Sequence, residues 1–294
     1  MTPLALLAEK DFAGRQAVGK RSDQEDAYAF AAIPARPGAA TGLLLLVADG
    51  MGGHAAGHRA SELAVRTFAG AFQRGGETMG ERFTRAVDAA NDALAAAIEA
   101  NPDELEGMGT TLLAVAVTSL GLEWASVGDS PLYLFRRGTL RRINADHSFR
   151  PVLREMVAKG ELTEAQAATS SLRNRLRSAL IGGEIALLDL APTPLPLLDG
   201  DLVLAGSDGL QTLGDDALAA VLRQHAAADA APLAAQLVQA VLAAGAPKQD
   251  NITATIVKPG GDWLLAPFAF APARVVGDDP GETTQRIVPR TATP

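Results

Sequence analysis

The sequence predicts an α+β protein made of antiparallel sheets with helices packed against their outer faces. Short apolar or alternating runs bounded by Gly, Asp or Asn recur along the 294 residues, as strands do. Three of these runs, within residues 111–135, follow one another with no helix between them. The long helical stretches come in adjacent pairs. A doubly wound chain would instead alternate strand and helix, so both observations favour antiparallel sheets.

Taken in order, strands are expected at 28–33, 43–48, 111–117, 123–127, 132–135, 201–205 and 252–257. Ala-rich stretches with helical spacing occupy 55–72, 79–99, 151–159, 215–223 and 231–243. In the first helix Leu63, Val65, Phe68 and Phe72 mark one face, with Glu62, Arg66 and Gln73 elsewhere. Asn101-Pro102 ends the second helix, because Pro lacks a donor and disfavours helical geometry just before it. From Pro259 onward Gly260-Gly261 and scattered Pro and Thr read as a tail without its own core. One domain over 1–258 and a tail over 259–294 are therefore expected, with no internal repeat.

Composition excludes several functions. Lys and Arg number 26 against 34 Asp and Glu, a net charge of -8, which argues against nucleic-acid binding. There is no cysteine, hence no thiol nucleophile, disulfide, Cys-based zinc site or iron–sulfur site. Residues 1–10 lack the basic start and long apolar stretch of a signal peptide, and 263–276 is too short and proline-broken to span a bilayer. The expectation is a cytoplasmic protein with no membrane span.

The chemistry is carried by acids at strand ends. Asp49 closes the run 43–48 and precedes Gly50-Met51-Gly52-Gly53; Asp129 follows 124–128; Asp208 follows 202–207; Asp250 precedes 252–257; Glu25-Asp26 precedes 28–33. A single Asp-Gly is an ordinary turn, but several, each beside an apolar strand, form a pattern. Carboxylates aimed at one point repel unless a cation sits among them. An oxygen-only donor set suits Mg²⁺ or Mn²⁺ rather than Zn²⁺. Gly50, with no Cβ, lets its carbonyl approach a metal. Arg21, four residues before Glu25, offers a guanidinium fork that matches phosphate oxygens.

Other features read as structural. Residues 14–21 nearly spell a nucleotide-binding loop but lack the closing Ser or Thr and a preceding apolar strand. His54 and His58 lack the intervening Glu of a zinc protease and read as polar helix-start residues. Met51 reads as turn packing. His147 is open between a loop contact and a role beside the site.

With these residues in view, the chain resembles the bacterial form of the metal-dependent Ser/Thr protein phosphatases of the type-2C (PPM) family. The matching text, in the family's order, is Arg21-Ser-Asp-Gln-Glu-Asp26, Val47-Ala-Asp-Gly-Met-Gly-Gly53, Gly109-Thr-Thr111, Val127-Gly-Asp-Ser130, Asp146-His-Ser148, Gly206-Ser-Asp-Gly209 and Asp250-Asn251. The resemblance implies an α-β-β-α sandwich of two antiparallel sheets flanked by helix pairs, with a flap (146–183) over a metal site. It implies two core Mn²⁺ or Mg²⁺ ions and a third, weaker one. Asp49 would bridge the core ions, Asp208 and Asp250 would ligate the first, and the Gly50 carbonyl would help hold the second. Glu25 and Asp26 would act directly or through water, and Asp129 would join Asp208 at the third, with Asn174 of the flap nearby. Arg21 would hold the substrate phosphate while a hydroxide bridging the metals attacks phosphorus directly. Met51 stands where eukaryotic relatives carry a His proposed as general acid, which leaves the proton donor open.

The implied partners are phosphorylated Ser/Thr proteins and the Ser/Thr kinases that make them. A rival reading is a catalytically weak docking module for phosphoproteins. In the tail, Thr283 and Thr284 beside Glu282 would suit a kinase and then a phosphothreonine-binding domain.

Overall fold

Residues 27–33 and 112–117 are apolar throughout, so both faces of these strands must be covered. The computed structural model, which describes residues 6–33, 42–53, 55–74 and 78–259, shows how. In chain order the elements are β1 (Phe12–Ala17), β2 (Asp26–Ile33), β3 (Gly42–Met51), α1 (Ala55–Gln73), α2 (Met79–Ala100), α3 (Pro102–Leu105), β4 (Gly109–Thr110), β5 (Leu112–Thr118) and β6 (Gly121–Val127). They continue as β7 (Leu132–Arg136), β8 (Thr139–Arg142), α4 (Arg150–Ala158), α5 (Glu164–Thr169), β9 (Asp189–Leu190), β10 (Leu202–Gly206), a 3-10 turn (Asp208–Thr212), α6 (Asp215–His225), α7 (Ala230–Ala243) and β11 (Ile252–Val257).

The strands form two antiparallel sheets, ordered β2-β3-β5-β6-β9 and β1-β11-β10-β7-β8, with β4 added to the end of β3. Period-two alternation sorts the side chains into layers. Tyr28, Phe30, Leu43, Leu45 and Val47 face Leu132, Leu134 and Val203 between the sheets. Ala29, Leu44, Leu46 and Ala114 face outward onto α1 and α2, through Phe68, Phe72 and Phe83. Leu204, Ala254 and Ile256 face α6 and α7, through Leu222 and Leu237. The α-β-β-α sandwich follows from apolar strands with two faces to bury. The α2 start is held by a capping box, Thr78 with Glu81.

This topology gathers the acidic residues at one end. β3 runs out where β2 begins, and Asp26 is the direct register partner of Asp49. Likewise β10 runs out where β11 begins, so Asp208 and Asp250 flank that end of the second sheet. By parity with Leu43, Leu45 and Val47, Asp49 lies on the inter-sheet face.

Several elements depart from expectation. The strand 43–48 runs on through Met51, because Gly50 and Met51 pair with Thr110 and Gly109 of β4, so Asp49 lies inside a strand rather than closing one. β1 and β8 were not expected: β1 has one large apolar residue, Phe12, and β8 is a four-residue, partly exposed edge strand. Gly14 lies within β1, where a Cβ would come 2.3 Å from the Tyr28 ring, so 14–21 is no phosphate-binding loop. Of the expected tail over 259–294, all but Pro259 lies outside the described residues, Thr283 and Thr284 included, as does His54. Among the described residues no helix is long and apolar enough to cross a membrane.

Candidate active site

Each acidic residue is held by neighbours that the fold supplies. The Asp49 main chain is gripped on both sides: its N–H donates to Thr111 Oγ1 at 2.9 Å, and its carbonyl accepts from Thr110 Oγ1 at 2.9 Å. Asp129 sits in the β6–β7 turn just after Gly128, whose φ of 106° favours glycine. His147 fastens that turn, its Nδ1 accepting from Gly128 N–H at 3.2 Å and its own N–H donating to the Gly128 carbonyl at 3.1 Å. The loop contact is thus the role this geometry gives His147, and burial holds its pKa down, in keeping with an accepting, neutral ring.

Asn251 is the tether for the acidic loop before β2. Its Oδ1 accepts from Glu25 N–H at 2.8 Å, and its Nδ2 donates to the carbonyls of Val18 and Asp23, both at 2.9 Å. Thr253, one turn of the pleat along β11, donates to Asp26 Oδ2 at 2.6 Å. Neither Asn251 nor Thr253 was singled out by sequence alone as a positioning residue. The available signal was two threonines, Thr253 and Thr255, in a fully buried strand.

An open cavity of about 630 Å³ collects these parts; its wall includes Arg21, Glu25, Asp49, Gly50, Asp129, Asp208 and Asp250. Met51 and Asn174 also line it. Asp26 does not: it is 1% exposed and lies beneath the cavity floor against Thr253. Asp26, expected to act directly or through water with Glu25, is the register partner of Asp49 and shares its inter-sheet face, with Thr253 donating to its carboxylate. Arg21 Nη2 bonds Asp250 Oδ2 at 2.6 Å.

Crowded carboxylates resist ionisation. Burial, with Asp208 next, pushes Asp129 up to about 7. Burial likewise raises Asp26 to about 7, partly relieved by hydrogen bonds from Ser207 and Thr253. Asp49 is held well above the usual carboxylate range by burial and then by Asp26 and Asp208. Asp208 is raised by burial and by Asp250, against the relief of Arg150 and Arg21.

These shifts predict a pH dependence. Unfolded carboxylates titrate near 4, roughly, so between there and about 7 the folded chain binds more protons than the unfolded chain. Stability of the metal-free protein is therefore expected to fall as pH rises through that window. A divalent ion removes the penalty, so its stabilisation should grow over the same range. Melting with chelator and with Mn²⁺ at several pH values checks this; a chelated melting temperature that rises toward alkaline pH would contradict it.

The donor set fits a hard divalent ion. It is all carboxylate and carbonyl oxygen in an open cavity, and the backbone is drawn close: a Cβ on Gly50 would lie 2.1 Å from the Gly57 carbonyl oxygen and 2.5 Å from that of Glu25. Among the described residues, no three Asp, Glu or His groups are already drawn together tightly enough to hold an ion. The carboxylates surround the cavity without closing on a point, and two arginines, Arg21 and Arg150, stand among them. Residues 146–183 include α4 and α5, and the stretch after them reaches the cavity wall; Leu180 bridges to Thr110 there.

Comparison with known proteins places this arrangement in company. The family described as Protein phosphatase 2C matches residues 13–244. The serine/threonine protein phosphatase PstP of Mycobacterium tuberculosis is 33% identical over 252 residues, which cover 85% of this chain and 46% of PstP. The chain thus spans about half the length of that relative. The serine/threonine phosphatase stp of Listeria welshimeri is 33% identical over 175 residues, 58% of this chain and 67% of stp. A crystal structure of the PstP catalytic domain in complex with two manganese ions superposes with a TM-score of 0.66 at 33% identity, covering 84% of this chain and 96% of that one.

Proposed function

The chain belongs to the protein phosphatase 2C family, and from that premise we propose that it is a metal-dependent protein Ser/Thr phosphatase. The observation that carries the reading is one cavity at the end of the sandwich walled by Asp49, Asp129, Asp208 and Asp250, with Arg21 at its edge. In this reading Asp49, Asp208, Asp250, Glu25 and the Gly50 carbonyl hold two Mn²⁺ or Mg²⁺ ions, and Asp129 with Asp208 is the pair for a third. When bound, the ions supply Lewis acidity, activating water for direct attack on phosphorus and neutralising the phosphoryl oxygens. The residues of the chain do the rest. Arg21 leaves Asp250 to take the phosphate oxygens in its fork. The Thr253–Asp26 hydrogen bond ties β11 of one sheet to β2 of the other beside Asp49. The substrates are phosphoserine and phosphothreonine proteins, made by Ser/Thr kinases that this activity opposes, in the cytoplasm. The manganese bound to the PstP catalytic domain supports the choice of metal.

Phosphate release from a phosphothreonine peptide tests the proposal. Release should require Mn²⁺ or Mg²⁺, stop with chelator and collapse in Asp208→Asn. A folded protein that binds Mn²⁺ yet releases nothing from several peptides would overturn it in favour of a docking module. All the carboxylates on which activity rests are present, which favours the enzyme.

A further inference from the structure

Arg150, in the first turn of α4, lines a second, smaller cavity of about 200 Å³ that shares Asn174, Asp208 and Asp250 with the first. Its Nη1 lies 3.4 Å from Asp129 Oδ2 and donates to Gln211 Oε1 at 2.7 Å. Its Nη2 lies 3.8 Å from Asp208 Oδ2 and donates to Asn174 Oδ1 at 3.1 Å. The side chain is 14% exposed. One guanidinium therefore stands between two carboxylates that repel each other, and ties them to α4, to residue 174 and to the 3-10 turn.

We infer that Arg150 is a tethered counter-cation for the Asp129–Asp208 pair and competes with a divalent ion for it. This rests on the reading of the cavity as a metal site. Two neighbouring acids need positive charge, and Arg150 supplies one unit from within the chain. A guanidinium does not deprotonate in proteins, so it leaves only by moving. An ion entering between Asp129 and Asp208 must push Arg150 out, because two cations cannot share that space. Displacement also breaks the bonds to Asn174 and Gln211, so occupancy of the pair loosens α4 and the loop around 174 from the cavity wall. Arg150 is a positioning residue in this account: it acts through Asp129 and Asp208.

Mn²⁺ binding to the full chain, followed by calorimetry and by the spin resonance of free Mn²⁺, tests this in wild type, Arg150→Met and Arg150→Lys. Arg150→Met should bind one more Mn²⁺ than wild type over the same concentration range, or bind its weakest ion about tenfold or more tightly. Arg150→Lys, which keeps the charge, should stay close to wild type; a mere structural anchor for α4 would leave metal binding unmoved in both. In wild type, limited proteolysis within 170–178 should speed up as Mn²⁺ is raised to fill the weakest site. Superimposable isotherms for wild type and Arg150→Met overturn the inference alone. If Arg150→Met fails to fold, Arg150→Gln carries the same expectation. If neither wild type nor any variant binds Mn²⁺, the metal reading of the cavity is overturned and the inference with it.

Discussion

Asp49→Asn is expected to lower phosphate release by about 10³-fold or more, while the chelated protein melts no lower than wild type. The two halves of this outcome have one cause. Asp49 is half-buried in the cavity wall, and desolvation, then Asp26 and Asp208, hold its carboxyl well above the ordinary range, so its charge destabilises the metal-free fold. Asn keeps the shape and removes the charge. It also removes an oxygen donor that would hold the core ions. Melting in chelator together with peptide hydrolysis in Mn²⁺ measures both. A variant that loses activity because it melts far below wild type in chelator would show Asp49 to be structural instead.

Gly50→Ala carries the second large effect. The added methyl would meet the carbonyl oxygens of Gly57 and Glu25 at 2.1 and 2.5 Å, and neither main-chain atom is a flexible side-chain tip. A loss of about 3 kcal/mol in unfolding free energy is expected, together with loss of metal-dependent activity, because β3 and the α1 start must separate. Gly80→Ala is the matched control. It lies in α2 with nothing within 4 Å of its Cβ position, and should stabilise by at most about 1 kcal/mol. Urea denaturation of both variants checks the pair; equal behaviour would contradict the crowding at Gly50.

The core of this fold was legible where burial imposes a pattern. The apolar runs of β2, β3, β5, β6, β7, β10 and β11 stand out because both faces of each are covered. β1 and β8 stayed hidden for the opposite reason: they are edge strands, and Phe-Ala-Gly-Arg-Gln-Ala packs small residues where Tyr28 fills the space. β4 and β9 are two residues each and exist through pairing with β3 and β6, which no local window reveals. The acids of the cavity were legible because Asp after or before an apolar strand marks a sheet end. Their supports were not. Asn251, Thr253 and Arg150 act across 226, 227 and 21 residues of chain, on Glu25, Asp26 and Asp129. Packing of the sheet that holds β2 on the sheet that holds β11 brings Asn251 and Thr253 to Glu25 and Asp26, and the placement of α4 brings Arg150 to Asp129. Asp26 illustrates this: strand register sets it directly opposite Asp49 with Thr253 donating to its carboxylate, contacts that its place beside Glu25 in sequence does not reveal.

The most direct test of the account is anomalous X-ray diffraction from crystals of this chain soaked in Mn²⁺. It predicts two strong peaks in the cavity, both in contact with Asp49, with Asp208 and Asp250 on one and the Gly50 carbonyl on the other. Peaks elsewhere, or none beside Asp49 at a Mn²⁺ concentration that supports phosphate release, would contradict it.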